Sequence, residues 1–302
     1  MYSRVKGFLM ASFASAMWGL SGTVAQELFE EYGFIPGYLV TLRMLTAGAA
    51  LLMIAAFLGK GNQLLAIWKH PKDRLGVVIF GVLGVLGTQY TFFSAIDTGN
   101  AATAALLQFL APLIVTAFLA LRLRKMPTAR ELIALPIALF GTALLVTNGR
   151  FDELSVPGIA VFWGLMAAGA LAFYVLFPTG LLKRWNSLVV IGWSMLIGGV
   201  GLFLLERPWL MEGQIWTLYS SSLVLFVILF GTLIAFFLYL ESLRFISQSE
   251  TSMLSSVEPL VAVVASVLWL QVPFGFYEAI GGLCIVLTVM ILSIAKKEYK
   301  TS

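Results

Sequence analysis

The sequence predicts an all-α integral membrane protein in which ten transmembrane helices form two five-helix repeats of inverted topology. Three observations predict this fold class: an apolar composition, ten apolar stretches of membrane-spanning length, and a match between the two halves. Of the 302 residues, 60% are hydrophobic and 11% are charged, and the mean hydropathy is +0.96. A soluble domain carries about 25% charged residues. The solvent for most of this chain is therefore a lipid bilayer.

The ten apolar stretches each have roughly the 20 residues that are needed to cross ~30 Å of hydrocarbon. In order, they are 7–28, 35–58, 75–96, 100–121, 131–148, 157–182, 187–205, 217–240, 250–270 and 274–295. The first follows Arg4 and Lys6, as the core of a signal peptide would, but it continues too far past its small residues to be cleaved there. We expect a retained helix. The short connections leave almost nothing for a soluble domain.

The basic residues divide unequally between the two sides of this topology. With the N-terminus inside, all but three of the 19 Lys and Arg lie on the cytoplasmic side. The exceptions are Arg150 and Arg207 outside, and Arg43 within the second span. The predicted external loops carry acids instead: Glu27, Glu30, Glu31, Asp97, Asp152, Glu153, Glu206 and Glu212. This positive-inside pattern predicts a multi-pass protein of the cell (plasma) membrane with both termini cytoplasmic. It also explains the net charge of +4 without a nucleic-acid partner.

The two halves of the chain match in one ungapped register. Adding 147 to a position in the first half aligns Gly84 with Gly231, Pro112 with Pro259 and Glu131 with Glu278, together with several leucines and isoleucines. Leucine-rich helices align by chance, so the weight lies on the Gly, Pro and Glu matches. Five spans are an odd number, so the second half enters the membrane from the opposite side. We expect repeats over residues 1–150 and 151–302 that together form one transmembrane domain.

Three stretches of the sequence carry a resemblance to a known family. Residues 16–19 (AMWG), residues 90–112 and their second-half counterpart, residues 239–260, resemble EamA-type carriers of the drug/metabolite transporter superfamily. The resemblance covers nearly the whole chain. It implies a secondary carrier that moves small metabolites (amino acids, amines or drug-like compounds) by alternating access, with export as the expected direction. Many members carry Gly-Glu after the fourth and ninth spans, where this chain has Arg124-Lys125 and Gln271-Val272.

The residues of common enzyme mechanisms are missing from the sequence. The only histidine, His70, lies in a basic cytoplasmic loop, so no Ser-His-Asp or Cys-His site can form. The sequence has no phosphate-binding loop and no cluster with metal-site spacing. We therefore expect no catalytic residue, metal or cofactor. A membrane-embedded enzyme acting on lipid and a non-transporting membrane scaffold are the alternatives, but the rims lack acids and histidines, and the loops are short.

Candidate substrate-binding residues are polar and aromatic side chains at membrane depth. They are Trp18, Gln89, Tyr90, Gln108, Tyr174, Tyr239, Ser255 and Glu258. Small and polar residues share one helix face of the fourth span around Gln108 and of the ninth around Ser255 and Glu258, which close helix packing also explains. However, the proline of each span frees a backbone carbonyl that needs a partner or a water-lined cavity. Aromatic rings that line a cavity suit apolar or cationic substrates.

Glu258 and Arg43 are the charged residues of interest inside predicted spans. A charged carboxylate at mid-membrane costs roughly 2.5–3.5 kcal/mol, so Glu258 needs a partner, a cavity or a proton. It is the candidate for proton coupling, and a structural glutamate that pins helices together is the alternative. Arg43 lies about a third of the way in from the outside. It can snorkel or pair with a loop carboxylate, or it can bind an anionic substrate group or pair with Glu258, and the sequence leaves these alternatives open.

Overall fold

The computed structural model describes residues 2–123, 129–150, 152–207, 212–242, 244–246, 250–251 and 254–295. Every regular element within these ranges is helical. Seven helices in this part of the chain are long and apolar enough to cross a membrane, and three shorter apolar helices complete a set of ten. The protein is therefore an all-helical membrane protein, as the sequence predicts.

The ten helices follow the predicted spans in order. The first half contains α1 (Tyr2–Tyr32), α2 (Pro36–Ala55), α3 (Pro71–Thr98), α4 in two segments (Ala101–Gln108 and Ala111–Leu123) and α5 (Ala129–Thr147). The second half contains α6 (Gly158–Leu176), α7 (Ser187–Glu206), α8 (Leu218–Tyr239), α9 (Val257–Leu268) and α10 (Phe276–Ala295).

Polar side chains mark where several of these helices begin. The Asn100 side chain accepts a hydrogen bond from the Thr103 amide at 2.8 Å and so caps α4. The Gln26 side chain accepts another from the Ala101 amide at 2.8 Å, which attaches the C-terminal part of α1 to the start of α4. Thr217 forms a capping box at the start of α8. These bonds satisfy helix-terminal N–H groups that would otherwise lack an acceptor.

Two connections differ from the sequence-based expectation. The α1 helix continues to Tyr32, so Glu27, Glu30 and Glu31 lie in its last turns rather than in a loop, and Glu27 is buried. Glutamate is a good helix former, which favours this extension. The predicted loop 59–74 begins with Gly59 at φ +77° and then forms two short helical segments, Gly61–Ala66 and Ile67–Lys69, before α3 starts.

The helices that carry the matched prolines are interrupted at corresponding places. The α4 helix breaks at residues 109–110, just before Pro112, and α9 starts after a turn at residues 255–256, just before Pro259. Proline cannot donate the hydrogen bond that a helix requires at its position. The carbonyl of Ser255, which Pro259 leaves without its usual donor, instead accepts from the Glu258 amide at 3.0 Å. A local bond thus satisfies one of the two freed carbonyls.

A second pair of irregularities also matches between the halves. A π-helical segment, Phe80–Leu86, lies inside α3, and another, Leu229–Ile234, lies inside α8. Adding 147 to the residue numbers of the first segment gives a range whose two ends lie within two residues of the ends of the second. Each segment contains one of the matched glycines, Gly84 and Gly231. Single π-helical turns inside α-helices are rare and are frequent at functional sites. The sequence analysis did not predict these segments.

Each main contact between two helices has an equivalent contact between their counterparts in the other half. The α3 helix packs on α6, and its counterpart α8 packs on α1. Likewise α1 packs on α9, and α6 packs on α4. The pairs α2–α7 and α5–α10 each join a helix to its own counterpart. This arrangement is that of a duplicated five-helix unit whose copies interdigitate, and it brings α1 against α8 and α9 and α6 against α3 and α4.

Candidate functional site

Aromatic side chains from both halves meet near the middle of the bundle. The ring centroid of Trp18 on α1 lies 5.0 Å from that of Tyr239 and 5.2 Å from that of Phe236, both on α8. The ring of Tyr174 on α6 lies 5.1 Å from that of Phe80 on α3. Tyr174 and Tyr239 are close enough to interact electrostatically. Trp18, Tyr174 and Tyr239 are all half-buried.

Polar groups of α9 join this aromatic cluster. The Oη atom of Tyr239 lies 3.3 Å from Ser255 Oγ, which also donates a hydrogen bond to the Thr251 carbonyl at 3.2 Å. Glu258 is near enough to Tyr239 to interact with it electrostatically. The Glu258 carboxylate is half-buried and has no hydrogen bond or salt bridge with any residue that the structure describes. An acidic group that has no counter-ion among the described residues therefore lies near Tyr239, which belongs to the aromatic cluster.

The α1 and α9 helices approach each other very closely at Gly19. A Cβ atom built on Gly19 would lie 2.3 Å from the Glu258 carbonyl oxygen and 3.0 Å from the Ala262 amide nitrogen. Only glycine permits this approach, because any side chain would overlap the α9 backbone. The contact places Trp18, the residue before Gly19, beside the part of α9 that carries Glu258.

The other residues predicted to bind substrate lie in different surroundings. Gln108 is buried at the end of the first α4 segment, which packs against α9, and it corresponds to Ser255 in the repeat register. Gln89 is half-buried on α3. Tyr90 lies farther out, where it donates a hydrogen bond to Glu206 at 3.2 Å beside a cleft of about 360 Å³. The roles of Gln89, Tyr90 and Gln108 stay predictions.

Arg43 is buried between α2, α3 and the π-helical segment of α8. Its side chain is 4% exposed, so it does not extend to the surface. The Nε group donates to Thr232 Oγ1 at 3.1 Å, Nη2 donates to the Gly231 carbonyl at 3.3 Å, and the guanidinium lies 4.7 Å from the centre of the Phe93 ring. Among the described residues, neither Glu258 nor a loop carboxylate forms a salt bridge with Arg43.

Sequence reasoning missed the partners of Arg43. Thr232 follows one of the matched glycines, Gly231, and that proximity was the one available signal. Phe93 gave no signal, because nothing in the sequence places α3 beside this part of α2. Helix periodicity identifies which face of a helix is polar, but it does not identify the neighbouring helix that the face contacts.

Tight contacts also join the halves at both ends of the bundle. In the first turn of α3, the buried Asp73 carboxylate forms a 2.6 Å salt bridge with Arg184 and accepts a hydrogen bond from Trp185 Nε1 at 3.0 Å. At the other end, the Ile215 amide donates to the Tyr32 carbonyl at 2.9 Å. The two contacts are equivalent in the repeat, because the α2–α3 and α6–α7 connections of the first contact correspond to the α7–α8 and α1–α2 connections of the second. We therefore assign these contacts to the symmetric scaffold and not to the site.

No group of three or more His, Cys, Asp or Glu side chains suitable for a metal ion occurs in the described part of the chain. The charged and aromatic groups given above are thus the chemistry available at the centre. They can receive a cation through a carboxylate and ring faces, and Arg43 can receive an anion through a guanidinium.

Comparisons with known proteins agree with this architecture. Residues 5–147 and again residues 158–294 match the EamA-like transporter family. The chain is 37% identical to the uncharacterized inner membrane transporter YicL of Salmonella typhimurium over 99% of this chain and 98% of that protein. It is 26% identical to the uncharacterized transporter YwfM of Bacillus subtilis over 97% of this chain and 96% of that protein. A protein of known crystal structure that is 20% identical in sequence matches this chain over 99% of this chain and 100% of its own chain, with a TM-score of 0.62. The two proteins therefore have the same fold.

Proposed function

Since the chain belongs to the EamA-like transporter family and is a multi-pass transporter of the inner (plasma) membrane, we propose that it is a secondary active carrier that exports small metabolites. Transport, and not the lipid chemistry considered as an alternative, is the activity of this family. The proposed substrates are amino acids, amines or drug-like compounds. The proposed substrate site consists of Trp18, Tyr174, Tyr239, Ser255 and Glu258.

One observation supports this proposal: a carboxylate that is unpaired within the described part of the chain lies near Tyr239, whose ring packs on Trp18 of the other half. Removing a charged carboxylate from water without a counter-ion is unfavourable, so Glu258 favours a ligand that brings a positive charge. The ring faces of Trp18, Tyr174 and Tyr239 attract the same charge. A site shared between repeats near the middle of the membrane is also where secondary carriers bind their substrates. A primary amine or another small organic cation fits these groups.

Alternating access follows from the position of the site between the two halves. We propose that residues 1–150 and 151–302 are the two repeats of a single transmembrane domain, and that they rock about the central cluster. The interruptions before Pro112 and Pro259 lie on α4 and α9, one in each half, where missing helical hydrogen bonds make bending less costly. Bending at both points would expose the cluster to one side of the membrane and then to the other.

Glu258 also provides a means of coupling export to the proton gradient. One carboxylate can neutralise one proton or one substrate cation, because a second buried positive charge would be unpaired. Binding of the two is therefore competitive, and the coupling is reciprocal. A proton that enters from outside would displace the substrate toward the external solution.

The orientation of the protein is part of the same proposal. We place both termini in the cytoplasm because nearly all basic residues then lie on that side. In a Cys284→Ala background, a cysteine at position 70 should react with an impermeant thiol reagent only from the inside. A cysteine at position 152 should react only from the outside. The reverse pattern of labelling would reverse the proposed direction of transport.

The experiment that tests the proposal uses purified protein in liposomes with a pool of labelled amino acids, amines and drug-like compounds. We expect the wild-type protein to move at least one amine-bearing compound against a pH gradient. Glu258→Gln should abolish transport driven by the pH gradient but retain exchange of substrate for substrate, because the amide mimics a permanently protonated carboxyl group. Glu153→Gln, which changes an exposed carboxylate, should behave as wild type.

Two results would contradict the proposal. Normal pH-gradient-driven transport by Glu258→Gln would assign Glu258 a structural role. Movement of none of the compounds by the wild-type protein in correctly oriented liposomes would remove the proposed substrate classes and favour the scaffold alternative.

A further inference from the structure

Arg43 holds a buried positive charge that the proposed substrate site does not use. A guanidinium has five N–H donors and stays protonated in proteins. In the described part of the chain, two of these donors have acceptors, and both acceptors, Thr232 Oγ1 and the Gly231 carbonyl, are neutral. The ring of Phe93 contributes a cation–π contact. None of these groups supplies the negative charge that a buried cation requires.

Two acids of the bundle, Glu27 on α1 and Glu206 on α7, accept hydrogen bonds from tyrosines, and Glu27 Oε2 has no partner among the described residues. Glu27 accepts a hydrogen bond from Tyr219 at 3.1 Å, and Glu206 accepts one from Tyr90 at 3.2 Å. No described carboxylate lies within salt-bridge distance of Arg43. The missing negative charge must therefore come from outside the described part of the protein.

A buried hydroxyl group without a partner lies beside the same place. Ser21 on α1 is 3% exposed, and its Oγ atom has no hydrogen-bond partner among the described residues. This Oγ atom abuts Gly231, since a Cβ atom built on that glycine would lie 2.1 Å away. The carbonyl of Gly231 is itself an acceptor for Arg43. A hydroxyl donor left unsatisfied in a buried position indicates an absent acceptor.

The mirrored interface shows that packing alone does not require this arginine. In the other half, the π-helical segment of α3 packs on α7 by direct backbone approach. A Cβ atom built on Gly198 would lie 2.8 Å from the Gly81 carbonyl oxygen, and Ser194 Oγ donates to the Val77 carbonyl at 3.4 Å. A π-helical segment in this fold thus packs on its neighbouring helix without a cation. The charge of Arg43 is therefore specific to one of the two related interfaces, the one between α2 and the π-helical segment of α8.

We propose that Arg43, together with Ser21, binds an anionic group, which is either a carboxylate group or a halide ion. Thr232, whose hydroxyl donates to the Val227 carbonyl at 3.0 Å and accepts from Arg43 Nε, orients the guanidinium. The site is distinct from the one at Glu258. It lies about one helical turn farther out, because Ser21 follows Trp18 by three residues on α1 and Thr232 precedes Phe236 by four on α8. The anion would accept from the free guanidinium N–H groups and from the Ser21 hydroxyl.

The test measures anion-dependent stability, which does not depend on transport or on Glu258. The thermal midpoint of the purified full-length protein is measured in chloride, bromide and acetate series at constant pH and ionic strength, with bulky gluconate as the balancing anion. We expect chloride, bromide or acetate to raise the midpoint by about 3 °C or more, since a ligand that binds only the folded state stabilises it. A response to acetate alone assigns the site to a carboxylate, and a response to the halides alone assigns it to an inorganic ion.

Matched variants separate binding from general salt effects. Arg43→Met should remove the response, Arg43→Lys should keep part of it, and Arg150→Met, at an exposed position, should leave it unchanged. Glu258→Gln should also keep it, which distinguishes failure of this proposal from failure of the proposed transport mechanism. If Arg43→Met does not fold, Ser21→Ala and Thr232→Val should each weaken the response. Equal midpoints in all four anions, or a full response in Arg43→Met or in both hydroxyl variants, would overturn the proposal.

Discussion

Gly19→Ala is the substitution whose effect the structure defines most sharply. Gly19 lies where α1 meets α9, and an added Cβ atom would lie 2.3 Å from the Glu258 carbonyl oxygen. Gly22, one turn farther along α1, is the matched control. A Cβ atom there would meet its nearest neighbour, Ile96 Cδ1, at 3.5 Å, which is an ordinary contact distance. Both substitutions add the same methyl group to the same helix.

The expected magnitude follows from the overlap. The α1 and α9 helices must separate by about 1 Å to accommodate the methyl group at position 19, and overpacking of this kind costs about 1–3 kcal/mol. Replacing a helical glycine by alanine stabilises a helix by about 1 kcal/mol, and this gain applies equally to both variants. The difference between Gly19→Ala and Gly22→Ala is therefore the overpacking cost of about 1–3 kcal/mol, or a difference of about 2–12 °C in thermal midpoint.

The assay compares thermal midpoints of the two purified variants and of the wild type in one detergent. We expect Gly22→Ala to equal or exceed the wild type and Gly19→Ala to fall below Gly22→Ala. The same displacement of α9 should weaken transport by Gly19→Ala, because Glu258 moves relative to the ring of Trp18. Equal midpoints for the two alanine variants would show that α1 and α9 are not in close contact, and the proposed substrate site would lose its geometric basis.

Three further predictions concern the contacts around the site. Gln26→Leu leaves the first amide of α4 without its side-chain acceptor and Glu30 without the amide donor of Gln26, so it should lower the free energy of unfolding by about 1–3 kcal/mol, as measured by chemical denaturation. Asp73→Asn keeps an acceptor for the neighbouring indole and should destabilise the protein less than Asp73→Ala, with a loss of the exposed Arg184 ion pair of about 0–1 kcal/mol. Gln108→Leu and Ser255→Leu should reduce liposome transport with little change in thermal midpoint, and a parallel loss of stability would indicate that these side chains serve packing.

Much of this fold could be predicted because bilayers impose strong rules on sequences. The number and order of the spans follow from hydrophobic length, and the internal match of Gly and Pro residues predicts the repeat. The boundary of α1 could not be predicted, because Glu27, Glu30 and Glu31 suit either a helix or an external loop. The π-helical segments were also missed, since their extra residue per turn leaves no mark in composition.

The candidate site follows from the sequence as a set of unusual residues whose roles stay predictions, and their arrangement could not be predicted. Trp18, Tyr174, Tyr239, Ser255 and Glu258 were chosen one by one for their depth, and the structure places the other four near Tyr239. Tyr90 was chosen for the same reason, but its hydroxyl donates a hydrogen bond to Glu206 on α7. The distinction depends on which helices are neighbours, and that information is three-dimensional. Periodicity along a single helix does not contain it.

The paired π-helical segments bear on how the two halves of the chain arose. A π-helical turn holds one residue more than the α-helical turn it replaces, so it marks a place where one residue has been inserted into a helix. The insertions in α3 and α8 fall at corresponding positions of the two halves. A single event before duplication accounts for both. Arg43, by contrast, has no counterpart in the register, because Val190 occupies the equivalent position of the second half, and it contacts Phe93 of the first half as well as Gly231 and Thr232 of the second.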